Sequence, residues 1–238
     1  ISKLGILMSL LFFPNGPILI KLLFAVVLSI VGSFLFVQLI NLIRAKDVIF
    51  VPLLGIMIGG ILSSFTTFVA LRTNALQSIG NWLTGNFAVI TSGRFEVLYL
   101  TIPLLILAFV FANHFTIAGM GKDFSHNLGV SYEKIIKIAL FITATLTALV
   151  VVTVGTLPFL GLIVPNIISI YRGDHLKNAL PHTLMLGAIF VLIADIIGRI
   201  IVYHYEINIG LTIGVFGTII FLILLMKGRE NYRSEERR

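Results

Sequence analysis

Long apolar runs recur along the chain, each closed by a short polar island. A membrane-spanning helix needs about 20 consecutive apolar residues. A partial run covers 1–13 and stops at Pro14, Asn15, Gly16 and Pro17. Full-length runs follow at 18–40, 48–71, 95–113, 135–154, 183–203 and 207–226. The run 156–171 is shorter and contains Pro158, Gly161 and Pro165. It predicts a broken or tilted helix, which a membrane tolerates only where protein covers the freed backbone groups. The pattern therefore predicts an all-α polytopic bundle of eight membrane segments. The short alternating strands of a β-barrel are missing from the pattern. Between the third and fourth runs, residues 72–94 hold Gln77, Asn81, Trp82, Thr84, Gly85 and Asn86. A tryptophan there suits the lipid–water boundary and predicts a short interfacial or re-entrant helix.

Composition agrees with this pattern. Of 238 residues, 58% are hydrophobic and 11% charged, with a mean hydropathy of +1.08. Soluble domains carry roughly 25% charged residues. No cysteine is present, which excludes disulfides, thiolate metal sites and a cysteine nucleophile. The first residue is Ile, inside an apolar run, so an N-terminal part is expected to be missing.

The net charge of +7 changes the picture through its placement. With the tail 227–238 set in the cytoplasm, thirteen basic residues fall inside, Lys3, Arg44, Lys46, Lys122, Lys134 and Lys137 among them. Lys21, Arg72 and Arg94 fall outside, and Arg199 lies within a span. This asymmetry satisfies the positive-inside rule. It reads as topology, and no basic stripe with interleaved aromatics points to nucleic acid.

Few residues offer chemistry. Asp195 and Arg199 sit four apart within a span, so they share a helix face. They form either a structural ion pair or, because Arg199 lies near the outer end, a pair whose arginine snorkels to the surface for a role outside. Gly55, Gly59 and Ser63, followed by Thr66 and Thr67, put a small, weakly polar stripe on one helix. Gly210, Gly214 and Gly217 do the same on the last. Such stripes serve helix packing or face a translocation path. The inside loop 114–134 is too polar to span and predicts one or two short helices, a solvated connector or a docking surface. A P-loop is excluded, because Gly121 and Lys122 are followed by Asp123 and preceded at the required spacing by Thr116. The zinc-protease and nucleophile-elbow patterns are missing too. His114, His126, His175, His182 and His204 lack ligand-like spacing.

Residues 155–227 hold Gly155, Phe159, Gly161, Leu162 and Pro165, then Asp174, His175, Leu180 and Pro181. Ala194, Asp195, Arg199, Glu206 and Gly210 continue the series. Upstream lie Trp82, Leu83, Thr84 and Gly85, and then Gly121 with Leu128, Gly129 and Val130. In this order and spacing, the chain resembles the permease family of iron-siderophore, haem and cobalamin ABC importers. It departs from the family pattern at Thr156, Leu157, Asn166, Gly198 and Asn208.

The resemblance implies a single permease domain over 1–238, with about two of the family's usual ten spans absent. It implies a coupling surface for an ATPase at Gly121, Ser125, Leu128, Gly129 and Val130. Arg199 would dock an extracytoplasmic binding protein, and Ser63, Thr66 and Thr67 would face the translocation path. The partners implied are a second permease, two cytoplasmic ATPase subunits and the binding protein, all at the lipid bilayer of the cell membrane. No cofactor, resident metal or covalent chemistry is implied. A proton-coupled secondary transporter is the rival, with Asp195 as its clear carrier. An intramembrane enzyme lacks a nucleophile or metal constellation.

Overall fold

The computed structural model describes residues 2–14, 16–43, 50–87, 90, 95–173, 175–201 and 207–235. Arg44, Lys46, Arg94, Asp174, His204 and Glu206 lie outside the described residues. The elements are helices: α1 (Ser2–Phe12), α2 (Ile18–Ile43), α3 (Phe50–Arg72), α4 (Leu76–Leu83), α5 (Thr101–Val110), α6 (Ala112–Gly119), α7 (Lys122–Asn127), α8 (Tyr132–Thr153), α9 (Leu160–Arg172), α10 (Leu176–Ile201) and α11 (Ile209–Glu235). A 3₁₀ turn, Phe95–Leu100, leads into α5. No β-strand element occurs among the described residues. This is the all-α membrane bundle that the apolar runs predict, since a helix satisfies its backbone hydrogen bonds within its own segment.

Four helices, α2, α3, α8 and α10, are long and apolar enough to cross a membrane. The fourth predicted span is bent. The stretch Phe95–Val110 and α6 meet at 58°. The break falls at Phe111, where the apolar run gives way to Asn113 and His114. The polar loop 114–134 resolves into α6 and α7, and α4 is the short helix predicted within 72–94. α9 is short, as its prolines predict, with 13 residues.

The chain divides into two compact units, Ile1–Thr84 with Ile90–Gly155, and Gly85–Val89 with Thr156–Arg238. In the first, Ile6, Leu22, Ala25, Val97, Ala148, Leu149 and Val152 form a buried cluster joining α1, α2 and α8. A second cluster, Leu4, Leu7, Ala70 and Ile79, seats α1 against α3 and α4. Small residues permit the close approach of α1 and α2. A Cβ on Gly5 would strike Ala25 Cα and lie 2.7 Å from the Phe24 carbonyl oxygen. Ser2 and Ser29 share a buried hydrogen bond of 2.8 Å. In the second unit, Ala194, Ile209 and Ile213 join α10 and α11, with Phe87, Leu157, Phe190 and Val191 packed around them.

These contacts fix the depth of α1. Ser2 meets Ser29, eleven residues into a 26-residue helix. α1 therefore runs beside only the first part of α2, about 16 Å at 1.5 Å per residue. The charge count assigns Lys3 to the inner face. The structure instead sets it on a cavity shared with Thr66 and Thr67 of α3 and Leu76 and Ile79 of α4. Ser63, inside the stretch of α3 that is long and apolar enough to cross a membrane, lines the same cavity.

Candidate functional site

Three groups of residues are singled out by the sequence, and the structure treats each differently. The first surrounds α7. Gly121 precedes the helix at φ 109° and Gly129 follows it at φ 71°, both in the region that favours glycine. The Gly129 N–H donates to the His126 carbonyl at 3.0 Å, and the Val130 N–H to the Ser125 carbonyl at 2.9 Å. This pair of bonds is a Schellman cap, which satisfies the end carbonyls and demands a left-handed residue at Gly129.

Ser125, which the resemblance assigns to the coupling surface, is fully buried. Its hydroxyl donates to the Gly121 carbonyl at 2.8 Å, with the Ile117 carbonyl also in reach at 3.2 Å. It fixes the shape of the turn from inside, because a buried hydroxyl must find an acceptor. The exposed face carries Met120, Phe124 and Leu128 instead. Met120 and Phe124 were not read as part of this surface, and their only sequence signal is apolar side chains within a polar loop. Lys122 and Glu133 pair at 3.4 Å, but both are largely exposed and the pair adds little stability.

The second group is the ion pair. Arg199 Nε donates to Asp195 Oδ2 at 2.9 Å. The pair lies in the last two turns of α10, and about half of the Arg199 side chain remains exposed. A cation in the last turn is also favoured by the helix dipole.

The third group is the small-residue stripes, and here the two helices part. On α11, Gly210 approaches the Gly85 backbone, and the Gly210 N–H donates to the Gly85 carbonyl at 3.1 Å. A Cβ on Gly217 would lie 3.0 Å from Ile163 Cδ1. That stripe packs helices together. On α3, a Cβ on Gly59 would meet nothing within 4 Å. The most apolar stretch of α3 is 11% buried, against 39% for α8. So the α3 stripe is open at Gly59, while Gly55 lies beside Phe36 of α2. Its polar end, Ser63, Thr66 and Thr67, lines a cavity of about 160 Å³ together with Lys3. The Thr66 hydroxyl donates to the Leu62 carbonyl at 2.6 Å and that of Thr67 to the Ser63 carbonyl at 2.9 Å. Their lone pairs are what they offer to the cavity.

Among the described residues no cluster of three histidine or acidic side chains could hold a metal ion.

Comparison with known proteins gives this geometry a context. Residues 1–227 match the FecCD transport family. The petrobactin import system permease protein YclN of Bacillus subtilis is 52% identical over 226 residues, covering 95% of this chain and 72% of that protein. The ferric-anguibactin transport system permease protein FatD of Vibrio anguillarum is 35% identical, covering 95% and 72% respectively. A solved structure described as an inward-facing conformation of a metal-chelate type ABC transporter superposes with a TM-score of 0.81, covering 95% of this chain and 73% of that one. At 19% identity, that likeness establishes the fold.

Proposed function

From the premise that this chain belongs to the FecCD transport family, we propose that it is the membrane permease of an ABC importer for a ferric siderophore. The observation that carries this reading is 52% identity across nearly the whole chain to a petrobactin permease. Petrobactin is therefore the first cargo to test. The second relative, named for anguibactin, supports the siderophore class more broadly.

In this reading two permeases enclose a path, two ATPase subunits bind at the cytoplasmic face, and a binding protein delivers cargo from outside. ATP binding draws the ATPases together and displaces α7 through Met120, Phe124 and Leu128. The two glycine turns hold α7 as a rigid lever. The path then opens to one side at a time. The basic residues of 227–238 support a cytoplasmic C-terminus. Asp195 serves as partner to Arg199 and not as a proton carrier.

Uptake of radio-iron on petrobactin into proteoliposomes holding the full assembly tests the class. Uptake should stop when ATP is withheld and should be indifferent to a collapsed proton gradient. Uptake that survives without ATP but fails without the gradient makes this a secondary transporter.

Arg199 is assigned to binding-protein docking, where an exposed cation meets acidic side chains. Arg199→Glu should weaken docking about tenfold or more, with Arg199→Lys retaining most of it. Surface plasmon resonance against the immobilised transporter reads the change. Unaltered docking with a lowered melting temperature would leave only the structural ion pair.

A further inference from the structure

The cavity among α1, α3 and α4 contains a charge that the transport reading has not used. Lys3 lines it beside Ser63, Thr66 and Thr67, with Ile79 and Leu83 as apolar walls. Among the described residues Lys3 has no acidic partner within salt-bridge distance. It stands beside Ser63, which lies inside the stretch of α3 that is long and apolar enough to cross a membrane. An ionisable side chain at such a depth is costly and marks a binding or transport position.

The surrounding groups define what would bind. The Lys3 ammonium offers N–H donors and the Ser63 hydroxyl another, while Thr66 and Thr67, their protons given to backbone carbonyls, can only accept and so favour the ammonium. A cation with hydroxyl neighbours and apolar walls suits a negatively charged oxygen group. At about 160 Å³ the cavity suits one carboxylate-bearing arm of a larger cargo.

Resting on the siderophore-permease reading, we infer that Lys3 and Ser63 form an intramembrane station that grips an anionic oxygen arm of the cargo on its way through. The grip orients the chelate against α3, whose stripe is open at Gly59. Lys3 supplies the charge, Ser63 a directed hydrogen bond, and Thr66 and Thr67 keep the neighbourhood polar. The same chemistry could hold a lipid phosphate, so the test separates the two.

The test uses the complete importer in proteoliposomes, with the binding protein pre-loaded with one of two cargoes. One is the ferric complex of a carboxylate-bearing siderophore, the other its methyl ester. Lys3→Met should slow uptake of the free acid about tenfold, the effect of removing a charge-assisted hydrogen bond. It should leave uptake of the ester at the wild-type rate, and Lys3→Arg should restore the free acid. Equal rates for both cargoes in wild type and Lys3→Met overturn the station. So does an equal loss for both cargoes, which marks a structural lysine. A loss seen for both cargoes only when phosphatidylglycerol is added to phosphatidylcholine assigns the site to lipid and overturns it for cargo. Wild-type protein that moves neither cargo removes the siderophore reading, and this inference with it.

Discussion

Gly129→Arg should abolish the stimulation of ATP hydrolysis by cargo-loaded binding protein while leaving the helical content unchanged. The reason lies in the turn after α7. Gly129 holds φ at 71°, and a side chain in the left-handed region costs about 1–2 kcal/mol. A Cβ there meets no atom within 4 Å, so nothing inside the protein is displaced. The damage is local. The cap loosens, α7 shifts, and a long cation stands beside the Leu128 surface proposed to meet the ATPase. The spans carry their own backbone hydrogen bonds and should survive. Gly129→Asn is the informative companion, because asparagine tolerates the left-handed conformation and is short. It should keep much of the coupling. ATPase assays on the purified complex, with circular dichroism alongside, check both. Wild-type stimulation in Gly129→Arg would sink the coupling assignment.

Gly5→Leu should separate α1 from α2. An added Cβ has backbone on its path, with the Phe24 carbonyl oxygen at 2.7 Å and the Ala25 nitrogen at 2.8 Å. Backbone cannot swing aside as a side chain can, so the helices must move apart. Overpacking of this kind costs about 1–3 kcal/mol, and the upper end is expected here. The Ser2–Ser29 bond and the Ile6–Leu22–Ala25 contacts are lost with it. Lys3 leaves its cavity, so transport should fall together with stability. Gly5→Ala should show a smaller drop in melting temperature of the same kind. Thermal unfolding in detergent, followed by size-exclusion fluorescence, measures both. An unchanged melting temperature in Gly5→Leu would mean that this crossing is not tight in the protein.

Much of the fold was legible in the chain because hydropathy and helical spacing are local properties. The eight apolar segments each contain a helix, and the helix positions follow the polar islands closely. α4 fell where Trp82 and its polar neighbours placed it. The family was legible too, since Trp82 to Gly85, Gly121 to Val130 and Asp195 to Arg199 occur in order. The Asp195–Arg199 pair formed at the spacing that predicts it. The signal for Gly5 was present as well, since Gly5 and Ser9 stand four apart in the manner of a helix-packing motif. It lay in a run read only for its hydropathy.

What the chain could not disclose depends on partners distant in sequence. Ser125 and Leu128 are three residues apart, yet one is buried and the other exposed, because Ile117 and Gly121 close over the first. The stripes on α3 and α11 look alike as letters. One packs against Gly85 and Ile163 and the other is open at Gly59, a difference set by which helices happen to be neighbours. Lys3 is the sharpest case. Charge counting assigned it to a membrane face, since a basic residue near the end of an apolar run ordinarily sits at one. The packing of α1 on α2 and α3 set it beside Ser63. The sequence by itself therefore determined the solvent of each segment, the helices and the family, because these follow from hydropathy, period and order along the chain. Only the tertiary structure decided which faces meet, and so which polar side chains share a cavity, because helix crossings are set by close contacts between residues far apart in the chain.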